Sequence, residues 1–276
     1  MSINEIVLLL ASGVLVGIIN TLGGGGSVIT MSLFMAMGMP IGVANGTNRI
    51  AVLLQNLSAT VAFLRKGMLH IKSGLLLSIP AIVGNIFGAM VATEVSESIF
   101  KLCLSVVLVI ILIYLVLGKD KEQVVGGHGL QIKWWHYIWF FIIGFYGGYI
   151  YIGLGFLILA ITIWTMNLDI VTANVIKGFV IFLSTPFALA VFIYNGQVEW
   201  CAGLLHGVGN IVGAIMASHW AMSWGVKFVR WFTLAIIIVF FVDLMGRLYT
   251  AMDTAACLGM YLICCCFFPG SSCKSS

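Results

Sequence analysis

Charged side chains make up only 8% of this 276-residue chain, where an ordinary soluble domain carries about a quarter. A water-exposed surface needs those groups, so the shortfall excludes a soluble fold. With 62% hydrophobic residues and a mean hydropathy of +1.15, the chain reads as an all-α polytopic integral membrane protein. The net charge is only +4 and no basic run exceeds two residues, which gives nucleic acid little to bind. Carboxylates are equally sparse. Glu94, Asp169, Glu199 and Asp243 fall at or near predicted span ends, so neither an acid-built cation site nor an acidic proton relay is expected at mid-membrane.

Motifs of catalysis are missing too. There is no Walker A sequence to engage ATP and no H-E-x-x-H of an intramembrane metalloprotease. Ser27 follows glycines but finds no histidine at an equivalent central position. His70, His128, His136, His206 and His219 are scattered along the chain. The reading is therefore not an enzyme, with no metal and no cofactor. Five of the seven cysteines (Cys257, Cys264, Cys265, Cys266 and Cys273) crowd the tail without the paired spacing or histidines of a zinc site. Cys103 and Cys201 read as small buried hydrophobes. The opening MSINE has no basic n-region and no small-residue cleavage site, so the first span is expected to begin at Ile3.

What the chain does have is a run of glycines inside apolar sequence. Gly23 to Gly26 follow one apolar segment, and Arg49 stands near the start of another. A helix beginning at Ser27 would direct its positive end at the glycines, whose N–H groups no side chain obstructs. Broken backbone in a membrane is tolerated only where protein or a water-filled cavity satisfies it. Arg49 costs roughly 2.5–3.5 kcal/mol at mid-helix and is expected to face that same cavity. The combination points to an intramembrane anion site.

The pattern then repeats. Gly24-x-Gly26 returns as Gly153-x-Gly155, an offset of 129 (153 − 24), and FLRKG ending at Gly67 returns as FIYNG ending at Gly196 (196 − 67). Ile82-Val83-Gly84 returns as Ile211-Val212-Gly213, and Arg49 is followed 128 positions later by Lys177. These matches, in order and at nearly one offset, indicate an internal duplication. Apolar segments are expected at 3–22, 26–40, 43–64, 73–93 and 98–117, and again at 134–152, 155–168, 170–194, 201–223 and 227–246. The second segment of each half is too short for a comfortable span, which marks the binding region of a transporter. The organisation is a first repeat over 1–118, a polar cytoplasmic linker over 119–133, a second repeat over 134–247 and a cysteine-rich tail over 248–276.

Loop charges orient the halves. Arg65, Lys66 and Lys72 follow the third segment of half one, whereas Lys227 and Arg230 follow the fourth segment of half two. Under the positive-inside rule equivalent loops fall on opposite sides, which makes the repeat inverted, with about 8–10 membrane segments. The spacings Gly13/Gly17, Gly84/Gly88, Gly144/Gly148 and Gly209/Gly213 are packing signals, one helical turn apart.

The candidate anion-binding residues are Gly24, Gly25, Gly26, Ser27, Asn45, Thr47, Asn48, Arg49, Tyr151, Gly153, Gly155, Asn174 and Lys177, the polar ones being hydrogen-bond donors to an oxyanion. Gln55 and Ser184 lie further along the same segments, either supporting the site or bonding between helices.

GGGGSVIT, VANGTNRIAVLLQNLSATVAFLRKG, GFYGGYIYIGLGF and NGQVEWCAGLLHGVGNIVGA together resemble the TauE/SafE family of membrane proteins, also called TSUP, over roughly residues 5–246. The resemblance implies secondary transport, usually export, of small sulfur-containing anions such as sulfite or organosulfonates. It places Thr47, Asn48, Arg49 and Lys177 on the family's polar pattern. The second glycine loop departs from a strict duplicate, with only Gly153 and Gly155 around Leu154. An anion channel is the alternative within transport, and a membrane enzyme or assembly factor the alternative outside it. The partners implied are a small anion and the lipid bilayer, with homo-oligomerisation left open. If the repeat is inverted, cysteines placed at Lys66 and Gln197 in a cysteine-free background will be labelled from opposite membrane faces. Labelling from one face would refute the inversion.

Overall fold

The computed structural model describes residues 1–22, 25–68, 71–94, 132–166, 168 and 170–220. All regular structure among them is helical: α1 (Ile3–Leu22), α2 (Ser27–Ala36), α3 (Ile41–Arg65), α4 (Ile71–Glu94), α5 (Trp134–Tyr149), α6 (Leu154–Met166), α7 (Ile170–Tyr194) and α8 (Trp200–Trp220). The expected segments at 98–117 and 227–246, most of the linker, and the cysteine-rich tail lie outside the described residues.

The boundaries carry the duplication. Adding 129 to the ends of α3 gives those of α7, and adding 129 to Ile71 gives Trp200. Gly67 and Gly196 both take the left-handed conformation, with φ of 67° and 66°. In the first turn Gly67 N donates to Leu64 O at 3.0 Å and Met68 N to Phe63 O at 3.2 Å. In the second, Gly196 N donates to Ile193 O at 3.0 Å and Gln197 N to Phe192 O at 2.9 Å. Both are the same glycine-dependent helix stop, closing the last carbonyls of a long helix.

Among the described residues, four helices have the length and hydropathy to cross a membrane: Ile3–Thr21, Ile71–Glu94, Thr172–Tyr194 and Trp200–Ala217. α2 and α6, with 10 and 13 residues, are shorter apolar helices. At about 1.5 Å per residue they fall well short of a hydrocarbon core about 30 Å thick. α3 has 25 residues but carries Asn45, Thr47, Asn48, Arg49, Gln55 and Asn56 among its buried positions. Every residue from Ala44 to Val52 is buried, so other helices shield the whole circumference of this polar stretch.

Glycine decides which helices meet. Gly13 and Gly17 of α1 lie against Gly209 and Gly213 of α8, and a Cβ on Gly13 would come within 3.0 Å of the Gly209 Cα. Gly84 and Gly88 of α4 lie against α5, whose Gly144 and Gly148 return the contact at Ala81 and Asn85. The contacts advance together along both chains, so each pair runs parallel. α3 also packs on α8, where Gly203 and Gly207 meet Thr47, Ile50 and Leu54, and α4 packs on α7. Each half has thus given its fourth helix to the other. One bundle consists of α1, α2, α3 and α8, and the second of α5, α6, α7 and α4. The bundles meet along α3 and α7, which cross antiparallel: Gly46 lies by Phe192 and Gly178 by Asn56.

Cys201 departs from expectation. It stands at the second position of α8 and is exposed, because that first turn lies at the rim of the bundle. Leucine at Gly17 or Gly88 would drive a side chain into the partner backbone, where overpacking costs about 1–3 kcal/mol or more. Both variants should melt earlier in detergent. Gly178→Ala, whose Cβ would meet nothing nearer than Asn56 Oδ1 at 3.8 Å, should not.

Candidate functional site

The breaks between α1 and α2 and between α5 and α6 leave buried helix ends, each with unsatisfied carbonyls. At the second break Arg49 reaches across from α3. Its Nη1 donates to Gly147 O at 2.5 Å, and Nη2 donates to Gly148 O at 2.8 Å and to Asn45 Oδ1 at 3.0 Å. Asn45 Nδ2 donates to Tyr149 O at 2.9 Å. At the first break Lys177 reaches across from α7, with Nζ donating to Asn20 O at 3.1 Å, Thr21 O at 3.4 Å and Asn174 Oδ1 at 2.7 Å. The two arrangements are counterparts: an asparagine and a cation one helical turn apart, closing the carbonyl end of the other bundle's first helix. A cation there also meets the negative end of the helix dipole.

Arg49 is 0% exposed and Lys177 3% exposed. No carboxylate among the described residues balances either one. Glu5, Glu94 and Glu199 all sit at helix ends near the rim. Among the described residues only carbonyl and amide dipoles hold these two interior cations, and both span the seam between the bundles.

The chain path at each break explains the glycines. Gly26 N donates to Asn20 Oδ1 at 2.7 Å, and a Cβ on Gly26 would lie 2.9 Å from Val16 O and 3.0 Å from Asn20 Oδ1. Only glycine lets the backbone pass this close to α1. At the second break Gly153 has φ of 74° and Tyr151, not a glycine, has φ of 68°. That strained tyrosine puts its ring 4.9 Å from the Arg49 guanidinium carbon, with the Phe192 ring at 5.4 Å on the same cation. Tyr146 closes the loop by donating its hydroxyl to Ile152 O.

The predicted residues thus fall into two places instead of one. Asn45, Arg49, Tyr151 and Gly153 gather at the second break, with Gly155 buried in the first turn of α6. Gly25, Gly26, Asn174 and Lys177 gather at the first, while Gly24 lies outside the described residues. Thr47 accepts from Glu199 N at 2.9 Å and anchors the start of α8. Ser27 Oγ, both amide atoms of Asn48, and Arg49 Nε are buried without a partner among the described residues. Gln55 accepts from Asn20 Nδ2 at 3.2 Å and so belongs to the lysine end. The Ser184 carbonyl accepts from Asn85 Nδ2 at 2.9 Å, a bond between helices. Gly147 and Gly148 escape sequence reading because they act through main-chain carbonyls, which every residue possesses. Asn20, whose carbonyl meets Lys177 and whose amide meets Gly26 and Gln55, escapes it although it is a polar residue beside the glycine run.

A multi-pass helical protein with paired broken helices and buried interior cations has the build of a membrane transporter. The family model described as "Sulfite exporter TauE/SafE" matches residues 9–244, and the chain belongs to that family of membrane transporters. A probable membrane transporter protein ORF9 from Sinorhizobium sp is 28% identical, over 80% of this chain and 85% of its own. Another from Haemophilus influenzae is 26% identical over 83% and 89%, and YfcA from Escherichia coli K12 is 28% identical over 78% and 80%. No solved structure matches.

Arg49→Gln or Lys177→Gln would leave buried carbonyls short of donors, a loss of about 1–3 kcal/mol each. Thermal unfolding in detergent should shift down for both, and less for Arg49→Lys, which keeps the charge but not the two-pronged fork. Unshifted melting in both glutamine variants would show that the helix ends are satisfied without the cations.

Proposed function

We propose that this transporter is a secondary exporter of small sulfur-containing anions, sulfite or organosulfonates, and that the anion binds at the seam marked by Arg49 and Lys177. The observation that carries this reading is the pair of buried cations with no carboxylate partner among the described residues. Carbonyl dipoles stabilise each charge without cancelling it, so the interior favours an incoming anion over a cation. Arg49 Nε and the Asn48 amide, which have no partner among the described residues, could donate to an oxyanion, and hydrogen bonds to a charged group are worth roughly 1.5–3 kcal/mol each. The sulfur chemistry rests on the family's description, since the relatives' names specify no substrate.

The same proposal includes an inverted repeat, supported by the antiparallel crossing of the equivalent helices α3 and α7. It also reassigns the moving bodies. Rocking of one sequence half against the other would tear α1 from α8 and α4 from α5. Rocking of the two mixed bundles along α3 and α7 keeps both pairs intact and strains the α3–α7 contact together with the polar links of Arg49, Asn45 and Lys177 across it.

Proteoliposome uptake of sulfite, sulfate, thiosulfate, sulfoacetate and simple carboxylates tests the reading. Saturable flux of sulfite or sulfoacetate is expected, with affinity falling about ten- to a hundredfold in Arg49→Gln. Unsaturable conductance would indicate a channel. A folded double variant, Arg49→Gln with Lys177→Gln, that binds anion as tightly as the parent would show that the cations serve only the fold.

A further inference from the structure

The two bundles share their architecture but not one buried cluster. His206 of α8 is 0% exposed between α1 and α2. Its Nε2 is 3.0 Å from Thr30 Oγ1, and its Nδ1 is 3.1 Å from Leu9 O and 3.3 Å from Ser12 Oγ. The Phe34 ring stands edge-on at 5.5 Å. The Leu9 carbonyl can only accept, so Nδ1 carries the hydrogen and Nε2 offers its lone pair to the Thr30 hydroxyl. At the offset of 129, the counterparts of His206, Thr30 and Ser12 are Leu77, Leu159 and Phe141. Leu77 and Leu159 are buried together in one apolar cluster. Hydrocarbon therefore packs this place in the other bundle, and the polar trio carries a desolvation penalty that the fold does not require.

The cluster continues toward the glycine break. Ser27 lies three residues before Thr30 on α2, and Asn210 four after His206 on α8, so each extends the same face by one turn. Both sit at one level of α1: Gly26 lies against Val16 and Asn20, and Asn210 against Gly17. Ser27 and Asn210 are 1% and 0% exposed, and Ser27 Oγ and both Asn210 amide atoms have no partner among the described residues.

We infer that His206, held between Thr30 and Ser12, is a proton-binding site that couples anion movement to co-movement of a proton. The inference rests on the anion-transport reading. A proton arriving on Nε2 turns that nitrogen from acceptor to donor. The Thr30 hydroxyl then rotates, accepts from the imidazolium, and gives its own hydrogen to Gly26 O, the carbonyl one turn earlier that already accepts from Thr30 N at 3.4 Å. A positive charge now stands against Thr30, which itself lies one turn, about 5–6 Å, from Ser27 at the start of α2. An anion is favoured at that helix end. Proton and anion therefore strengthen each other's binding reciprocally. No other charged or titratable group among the described residues faces the imidazole. α1 presents Leu9 and Ser12, and α2 presents Thr30 and Phe34. α3 meets α8 through Thr47, Ile50, Ala51 and Leu54, with Arg49 turned to the α5 carbonyls, and Glu199 lies before the first turn of α8.

The test uses full-length protein in liposomes with [35S]sulfite. Wild type should accumulate sulfite under an imposed pH gradient and exchange it at equilibrium with a pH-dependent rate. His206→Gln should lose the gradient-driven accumulation and the pH dependence, while exchange continues. Thr30→Val, which keeps the side-chain volume, should shift the pH profile. Accumulation that persists in His206→Gln overturns the inference, as does loss of exchange in both folded variants, which would make the cluster part of the anion site. Should wild type move none of the anions, the transport reading fails by itself. Proton binding is then read without anion by NMR of the histidine ring protons in detergent. A resonance that titrates and is missing in His206→Gln supports the site, and a resonance that never titrates overturns it.

Discussion

A helix that stops inside a membrane leaves carbonyl groups that neither lipid nor its own backbone can satisfy. Everything central to this protein answers that constraint. Arg49 and Lys177 close the two buried helix ends, and each does so from the opposite bundle. On the proposed reading, one set of bonds serves both stability and function: the carbonyls hold the cations in the interior, and no carboxylate among the described residues neutralises them.

The proposed rocking of the bundles rests on two kinds of contact. Within each bundle, glycine set directly against the neighbouring helix's backbone brings α1 onto α8 and α4 onto α5. Small-residue contact of this kind is what packing in lipid relies on, where burial of apolar surface gives no advantage. Between the bundles, the antiparallel pair α3 and α7 carries most of the contact, with the cation links at either end. A motion that preserves the first kind of contact and exchanges the second is the least costly one available.

The duplication supplies a scaffold, and the departures from it show where specialisation has been placed. The identical glycine stops at Gly67 and Gly196 are scaffold. Lysine in place of arginine, Tyr151 in the left-handed region, and the His206 cluster facing leucine counterparts are not dictated by it. Each lies at or beside a break.

The sequence by itself determined a great deal here. Hydropathy and the scarcity of charge fixed a helical membrane protein, because only helices satisfy a backbone in lipid within a single segment. The 129-residue offset anticipated where two helices begin, since α7 and α8 start where it places them from α3 and α4. Small residues at one-turn spacing announced close helix contacts. Which helices would meet was decided only by the tertiary structure, because Gly13/Gly17 and Gly84/Gly88 carry the same signal and do not name their partners. The exchange of fourth helices follows from that choice. So does the separation of Arg49 from Lys177: similarity in sequence suggested a shared site, but an antiparallel crossing of α3 and α7 sends equivalent positions to different breaks. The carbonyl partners Gly147, Gly148, Asn20 and Thr21, and the meeting of His206 with Thr30 and Ser12, were likewise invisible in one dimension. Such contacts join residues far apart in sequence through groups that carry no distinctive letter, and only packing brings them together.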